Sequence, residues 1–448
     1  MSELAIITLA AGKGTRMKSD LPKVLHKVAG KSMVQHAVDT ADKLNPIHNI
    51  VVVGYKSNQV EAKTKGDLQF VMQEEQLGTG HAVMQTEDRL SDFEGTVLVM
   101  YGDTPLLTAN TLDELVTKHQ QEDAAATILT AKIDDPSGYG RIVRNQSGQV
   151  VKIVEDKDTT VDEAKIKEIN TGICCFDSQL LWEALEEITP NNEQGEYYLT
   201  DVAGVLAKQE KNVTAVVAKD REETVGVNTK VHLAKAESIL RTRVCNKHLQ
   251  QGVTIIDPQN TYIDSGVEIG RDSIIYPFTF LEGDTKIGEE VIVGPRNRIK
   301  DSIIGNRVEI EASTVVDSQI GAGTVIGPYA YLRPGTKVGR DAKIGDFVEV
   351  KQSEIGDKTK VPHLSYIGDT TIGEKTNVGA GSITANYDGQ DKHKTVIGDN
   401  TFIGSDTTLV APIRVGDNAA TGAGAVVTKD VETDQTVIGV PAKPKDDN

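Results

Sequence analysis

Two groups of residues in this 448-residue chain are spaced for chemistry. The first lies in LAAGKGTRM, Leu9 to Met17, where Gly12 and Gly14 alternate with Lys13 and Arg16 and are followed by Lys18 and Lys23. Glycine lets backbone approach a ligand and adopts positive φ, so successive N–H groups can cradle phosphate while nearby cations neutralise it. The spacing is neither GxGxxG nor GxxxxGK[ST], so a phosphate cradle and an ordinary glycine turn both stay open at this level. Asp103 in YGDTP adds a carboxylate suited to Mg²⁺ beside phosphate, with a turn or helix cap as the alternative. The second group centres on His363 in VPHLSYIGD, with Arg333 in YLRPG and Lys351 in EVKQS. Neutral imidazole can take the proton of an attacking amine near pH 7, and Arg and Lys can anchor a phosphate. Together they suit acyl transfer from a thioester to an amino sugar phosphate; the alternative is a structural histidine.

Elements to hold the first group can be read from hydrophobic pattern. Leu4 to Leu9 is a short apolar run expected to be a buried strand. Ser32 can cap a helix to about Leu44, and Ile50 to Val53, Asp67 to Met72 and Thr96 to Tyr101 read as strands, with a helix over Thr79 to Leu90. Such alternation predicts an α/β domain with a mostly parallel, Rossmann-like sheet. Ligands of such sheets bind beyond the carboxyl ends of the strands, where both the Leu9 loop and Gly102-Asp103 fall. His81 is expected to pack on its helix rather than act as a base, because phosphoryl transfer depends on positioning and charge stabilisation. Thr229 to Gln250 has no proline or glycine and carries apolar residues at helical spacing. It reads as a helix of roughly 30 Å, either an arm between domains or the last helix of the first.

The period then changes. Aliphatic residues recur every six positions, as in Ile320, Ile326, Leu332, Val338, Ile344 and Val350, and again in Ile397, Ile403, Leu409 and Val415. Small residues follow four positions later, among them Thr324, Ala330, Thr336, Ala342, Thr401 and Thr407. This is the pattern of a hexapeptide β-helix, here roughly ten coils and about 50 Å of prism. A thin prism has little room for rings, in keeping with 4% aromatic residues. Three stretches depart from regularity: VPHLSYIGD, the polar NVGAGSITANYDGQDKHK (Asn377 to Lys394), and the cationic turns at Arg333 and Lys351. Repeat proteins tend to place function in such insertions. The expected organisation is 1–228, a linker helix 229–250, and a β-helix over 251–448.

A net charge of −18 argues against a general nucleic-acid binder. The cysteines, Cys174, Cys175 and Cys245, have neither metal-site nor disulfide-framework spacing. No apolar run is long enough to span a bilayer, and MSELAIITLA lacks a basic leader region, so a cytoplasmic protein is expected.

LAAGKGTRM followed by LPKVLH closely resembles the signature of sugar-phosphate nucleotidyltransferases. The resemblance implies that Leu9, Ala10, Ala11 and Gly12 hold the nucleotide and that Arg16 and Lys23 contact its phosphates. It implies Asp103 and, in GVN, Asn228 as Mg²⁺ ligands. Gln73, Gly78 and Thr79 then recognise uracil, and Gly140, Glu155 and Asn170 the sugar. GEYYLTD (Gly195 to Asp201) also matches, without a role for its aromatics.

Both halves in this order are similar to the bifunctional N-acetylglucosamine-1-phosphate uridyltransferase/glucosamine-1-phosphate N-acetyltransferase family. That resemblance implies a left-handed β-helix. It implies His363 as general base, with Glu349 as its orienting group, and Arg333, Lys351, Tyr366 and Asn377 at the amino-sugar phosphate. Ala380, Asn386, Tyr387, Ser405 and Ala423 fall at acetyl-CoA contacts. It further implies UTP and acetyl-CoA as cosubstrates, a homotrimer with acetyltransferase sites between subunits, and a product used in bacterial cell-wall synthesis. The chain departs at VIGVPAKP, where Val440 replaces a common arginine and Lys443 could supply the cation instead. Two rivals remain: a single-activity nucleotidyltransferase with the β-helix as scaffold, and a non-catalytic sugar-nucleotide sensor.

Overall fold

The computed structural model describes residues 3–146 and 148–439; Val440 and Lys443 lie outside them. The chain divides into two compact units between Leu240 and Arg241, inside the helix Lys230–Gln250. A helix thus covers the stretch read as helical, and each unit takes part of it. Leu233, Ile239 and Leu240 pack with Val28, Met33 and Leu106 of the first unit, while Val244 and Cys245 join the core of the second.

Strands of the first unit are β1 (Glu3–Leu9), β2 (His48–Val53), β3 (Gln69–Met72), β4 (Gly95–Tyr101), β5 (Ala126–Lys132), β6 (Arg141–Arg144), β7 (Val150–Val154), β8 (Glu168–Asp177) and β9 (Val213–Val217). Among the described residues they form a nine-stranded sheet of order β9-β5-β8-β4-β1-β2-β3, with β6 and β7 as a side hairpin on β8. Pairing is parallel except at β8, which runs antiparallel to β4, β5 and β6, and within the antiparallel β6–β7 hairpin. The central strand β1 is buried on both faces from Leu4 to Leu9, as a parallel strand covered by helices must be. Cys174 and Cys175 are free thiols on opposite faces of β8, each filling an apolar layer. Ser32 does cap its helix: its side chain accepts from Gln35 N, and Met33–Ala41 continues into a single 3₁₀ turn, Asp42–Leu44.

One expected helix is two. Thr79–Met84 and Glu87–Leu90 are separate, and the Thr86 hydroxyl donates to Val83 O at 2.7 Å where they part. A threonine that bonds back to the preceding turn competes with the helical ladder.

Among the described residues the second unit has parallel sheets of eleven, ten and nine strands, the three faces of a left-handed hexapeptide β-helix. Ile320, Ile326 and Leu332 fall on successive faces, and Val338, Ile344 and Val350 repeat the cycle one coil later. All six are buried. Each aliphatic side chain so enclosed contributes roughly 1.5–3 kcal/mol. The small positions are buried too, and their hydroxyls are satisfied by the next coil: Thr324 donates to Gly339 O at 2.7 Å and Thr359 to Gly373 O at 2.6 Å. Asn377 pairs with Phe402, 25 positions on, whereas Lys360 pairs with Asn377 17 positions on. The additional residues form the polar loop.

Candidate active sites

The first site gathers at one sheet edge. Leu9 and Tyr101 are register partners, Ala10 N donates to Val52 O at 2.8 Å, and Gly102 N to Leu9 O at 2.9 Å. Gln73 N donates to Val53 O at 2.8 Å, so β3 delivers Gln73 to the same edge. Because β8 is antiparallel, its beginning, with Asn170, lies there as well. A cavity of about 450 Å³ opens over this edge, lined by Leu9 to Gly12, Lys23, Gln73, Gly78, Thr79, Asp103 and Asn228.

Its charged wall joins three remote segments. The Lys23 ammonium pairs with Asp103 and donates to Asn228 Oδ1 at 3.1 Å. Arg16 Nη2 donates to the same oxygen at 3.0 Å. Lys23 and Asp103 side chains are only 16% and 14% exposed, which strengthens their attraction over that of a surface pair. Gly14, at φ +63°, has no space for a side chain, because a Cβ there would collide with Lys23 Cβ. That glycine thus serves the placement of Lys23, whereas Gly12 has open space in front of it.

Gln73 is buried, with Nε2 donating to Gly78 O and reaching His81 Nδ1, both at 3.1 Å. His81 also meets Gln85 and lies against Tyr197, so it braces Gln73. Gly78 has a different physical cause from a close approach to a base. A Cβ there would strike Tyr197 backbone, and the Thr79 hydroxyl accepts from Leu199 N at 3.0 Å. GEYYLTD therefore acts as the strut behind the Gly78–Thr79 turn.

Gly140, Glu155 and Asn170 meet one another but do not line the cavity, which their neighbours Tyr139 and Thr171 reach. A Cβ on Gly140 would lie 3.4 Å from Glu155 Oε1 and 3.6 Å from Asn170 Cβ. Burial raises the Glu155 carboxyl pKa, and its Oε1 accepts from Thr200 at 3.4 Å. Sequence reasoning missed Tyr101, Thr104 and Thr171, which line the cavity, whereas Tyr139, also in its lining, lies within GYGRI, the stretch that the resemblance places at the sugar. Tyr101 was legible as the residue before GD at a strand end. Gly172, at φ +83°, leaves room for its ring.

In the β-helix, His363 Nδ1 lies 2.6 Å from Asp346 Oδ1. Glu349, the expected orienting group, instead accepts from Arg333 Nη1 at 2.8 Å. The reason is register: Asp346 and His363 are partners on one face, whereas Glu349 opposes Tyr366 on the next. Counting one 17-residue coil back from His363 would have found Asp346. The hydrogen bond from His363 holds the Asp346 carboxyl below its ordinary range. Asp346→Asn should cut acetyl transfer by about ten- to a hundredfold through loss of ring orientation, without changing pyrophosphate release. Steady-state rates of both half-reactions check this.

Lys351 Nζ lies 3.2 Å from Asp369 Oδ2, which also accepts from Asn386 Nδ2. Gly368 allows this crowding, since a Cβ there would meet the Tyr366 hydroxyl at 2.5 Å and Asn386 Nδ2 at 2.8 Å. Lys392 reaches Lys351 from the polar loop, and the two cations depress the Lys392 pKa. Asn386 thus stands with Arg333, Lys351 and Tyr366. Tyr387 points back to Gly389 O. Ala380, Ser405 and Ala423 form a separate column on successive turns: Asp406 N donates to Ala380 O, and Gly424 N to Ser405 O, each at 2.7 Å. Asn377 lies apart from Arg333 and Lys351, on the face where Lys360 and Phe402 are its partners.

The sheet edge and the β-helix define a nucleotidyltransferase fused to a hexapeptide transferase. The nucleotidyl transferase family model matches residues 5–231, and the bacterial transferase hexapeptide model matches residues 317–352 and 394–429. The chain belongs to the bifunctional GlmU family. It is 50% identical over 431 residues to Bifunctional protein GlmU of Brevibacillus brevis, covering 96% of this chain and 94% of that one. The same-named protein of a Geobacillus species is 52% identical over 425 residues, covering 95% and 93%. That of Streptococcus uberis is 50% identical over 439 residues, covering 98% and 96%. The chain is accordingly an enzyme that combines nucleotidyl transfer with acetyl transfer.

Proposed function

We propose that the β-helix unit acetylates glucosamine 1-phosphate with acetyl-CoA and that the N-terminal unit then joins the product to uridylyl from UTP. Pyrophosphate and UDP-N-acetylglucosamine are released. The His363–Asp346 pair is the observation that carries this reading over a β-helix acting only as scaffold. With Nδ1 turned to the Asp346 carboxylate, Nε2 is left to accept the amine proton. The amine attacks the thioester carbonyl, the C–S bond breaks, and the thiolate leaves as free thiol once protonated. Arg333, Lys351 and Tyr366 anchor the sugar phosphate, with Lys392 as a further cation. The Ala380–Ser405–Ala423 column, with Tyr387, takes the coenzyme, while Asn386 stands with the phosphate anchors through Asp369.

In the N-terminal unit a sugar-1-phosphate oxygen attacks the α-phosphorus as pyrophosphate departs. Arg16 and Lys23 offset charge developing on the phosphates. Gln73, Gly78 and Thr79 orient the base, and Gly140, Glu155 and Asn170 the sugar. Asp103 and Asn228 fit Mg²⁺: both offer oxygen, and the Lys23 ammonium already bridges them. When bound there, the ion would draw charge from the triphosphate. We assign the protein to the cytoplasm; among the described residues no helix is long and apolar enough to cross a membrane.

The homotrimer is part of the same proposal. Tyr329, Phe347 and Leu364 are 56–63% exposed and form an apolar ridge on one turn edge, with Tyr329 and Phe347 stacked at 5.4 Å. Phe347 and Leu364 directly follow Asp346 and His363. A second copy on this ridge would adjoin the histidine and can supply Asn377. Phe347→Asp with Leu364→Asp should yield monomers that release pyrophosphate but no thiol. Light scattering with both assays checks this; a trimer of unchanged mass would count against the ridge.

The overall reading is tested by incubating the protein with glucosamine 1-phosphate, acetyl-CoA, UTP and Mg²⁺ and identifying the nucleotide sugar by mass. UDP-N-acetylglucosamine supports it. UTP consumption without any acetylated product supports the scaffold alternative.

A further inference from the structure

His26 has no part in the chemistry described above, yet its surroundings tie it to both sides of the charged wall. It closes the 3₁₀ turn Lys23–Leu25, its N–H donating to Lys23 O at 3.2 Å, and its own carbonyl accepts from Met33 N at 3.0 Å. Its ring is buried, with 8% of the residue exposed. Lys230 Nζ lies 3.0 Å from His26 Nδ1. An ammonium only donates, so Nδ1 is the acceptor and the ring is neutral with its proton on Nε2. Burial and the Lys230 charge both favour that neutral form.

Lys230 opens the helix Lys230–Gln250 two positions after Asn228. Between Asp103 and this helix, Val227 N donates to Asp103 O at 2.9 Å, and the Val227 side chain is fully buried with Val28, Met33 and Leu106. Farther along the helix, Glu237 Oε2 accepts from Ala29 N at 2.7 Å. The helix start is thus bonded to the segment that bears Lys23, and in chain order the His26–Lys230 bond lies between the direct Lys23–Asn228 contact and the Ala29–Glu237 bond.

We propose that His26 and Lys230 form a latch that positions Lys23 and Asn228 against the nucleotide phosphates. This rests on the nucleotidyltransferase reading above. The latch acts through other side chains, so both members are positioning residues. Lys230 is exposed and keeps its hydration, so a contact of this kind adds little to stability by itself. What the pair adds is a directional bond across segments separated by 204 positions.

The test is a set of variants in the full-length protein: His26→Leu, Lys230→Met, the double variant, and His26→Asn, which keeps an acceptor near Nδ1. UTP KM and kcat are read from pyrophosphate release, and thermal unfolding is followed without ligand. The latch predicts that each of the two disruptive single changes raises KM or lowers kcat/KM about tenfold with the unfolding midpoint little changed, since loosened phosphate-binding groups lose orientation. The double variant should be no worse than the poorer single one, because both break one bond. His26→Asn should recover most of the loss. Additive losses, losses that merely follow a lowered unfolding midpoint, or wild-type kinetics in both single variants would overturn the latch. Wild-type protein that releases no pyrophosphate would instead overturn the reading beneath it.

Discussion

His363→Ala should lower acetyl transfer by about 10²- to 10⁴-fold, the usual contribution of a positioned general base. Pyrophosphate release by the same preparation should be unchanged. The imidazole is exposed at a turn edge, its side chain 56% accessible, so removing it leaves no cavity in the prism and the fold should survive. The stacked aliphatics inside, Ile344, Val361 and Val378 on that face, do not depend on it. Free-thiol release from acetyl-CoA reads the first activity. A loss confined to thiol release locates the amine's proton acceptor at His363. A variant that retains wild-type acetylation would mean that another group takes the proton.

Asp103→Asn should have the opposite signature. Its carboxylate is the negative partner of Lys23 at the cavity wall, and it lies with Asn228 on the same ammonium. The amide is nearly the same size but cannot offer the anionic oxygen that Mg²⁺ prefers or hold Lys23 by charge. Pyrophosphate release should fall about 10²- to 10³-fold, on the scale of losing one preorganised electrostatic group. Acetyl transfer should not change. The backbone bond from Val227 N to Asp103 O is untouched by the substitution, so the segment carrying Asn228 stays in place. A variant of normal uridylyl transfer would remove Asp103 from the phosphate site.

The two sites differ in how much of them could be read from the chain. In the N-terminal half, strand ends were visible as apolar runs, and a parallel sheet brings strand ends together whatever the sequence distance. The Leu9 loop and Asp103 could therefore be brought together from topology, whereas Gln73 came from the resemblance. The direction of β8 was not visible, because an antiparallel central strand and a parallel one share the same apolar pattern. Its antiparallel course is what carries Asn170 and Thr171 to the edge. The causes of the glycines were also hidden: Gly14 and Gly78 face Lys23 and the Tyr197 backbone, partners that no local pattern connects.

In the β-helix the six-residue period located the interior positions of two stretches, Ile320 to Val350 and Ile397 to Val415, where burial and period coincide. It did not locate partners along the prism, because coil length varies and each outward side chain meets residues one coil away. Glu349 came from the resemblance alone, whereas the partner is Asp346, set by the coil that ends in His363. The helix Lys230–Gln250 was legible as a helix, but its bond to His26 was not, as neither residue stands in a motif whose spacing involves the other.

The most direct measurement is a split assay on the purified full-length protein with Mg²⁺. One reaction holds glucosamine 1-phosphate and acetyl-CoA and follows free thiol. The other holds N-acetylglucosamine 1-phosphate and UTP and follows pyrophosphate. Two active centres on one chain predict signal in both reactions. Pyrophosphate without thiol would contradict the account, leaving the β-helix as a scaffold and the His363–Asp346 pair as a structural bond between coils.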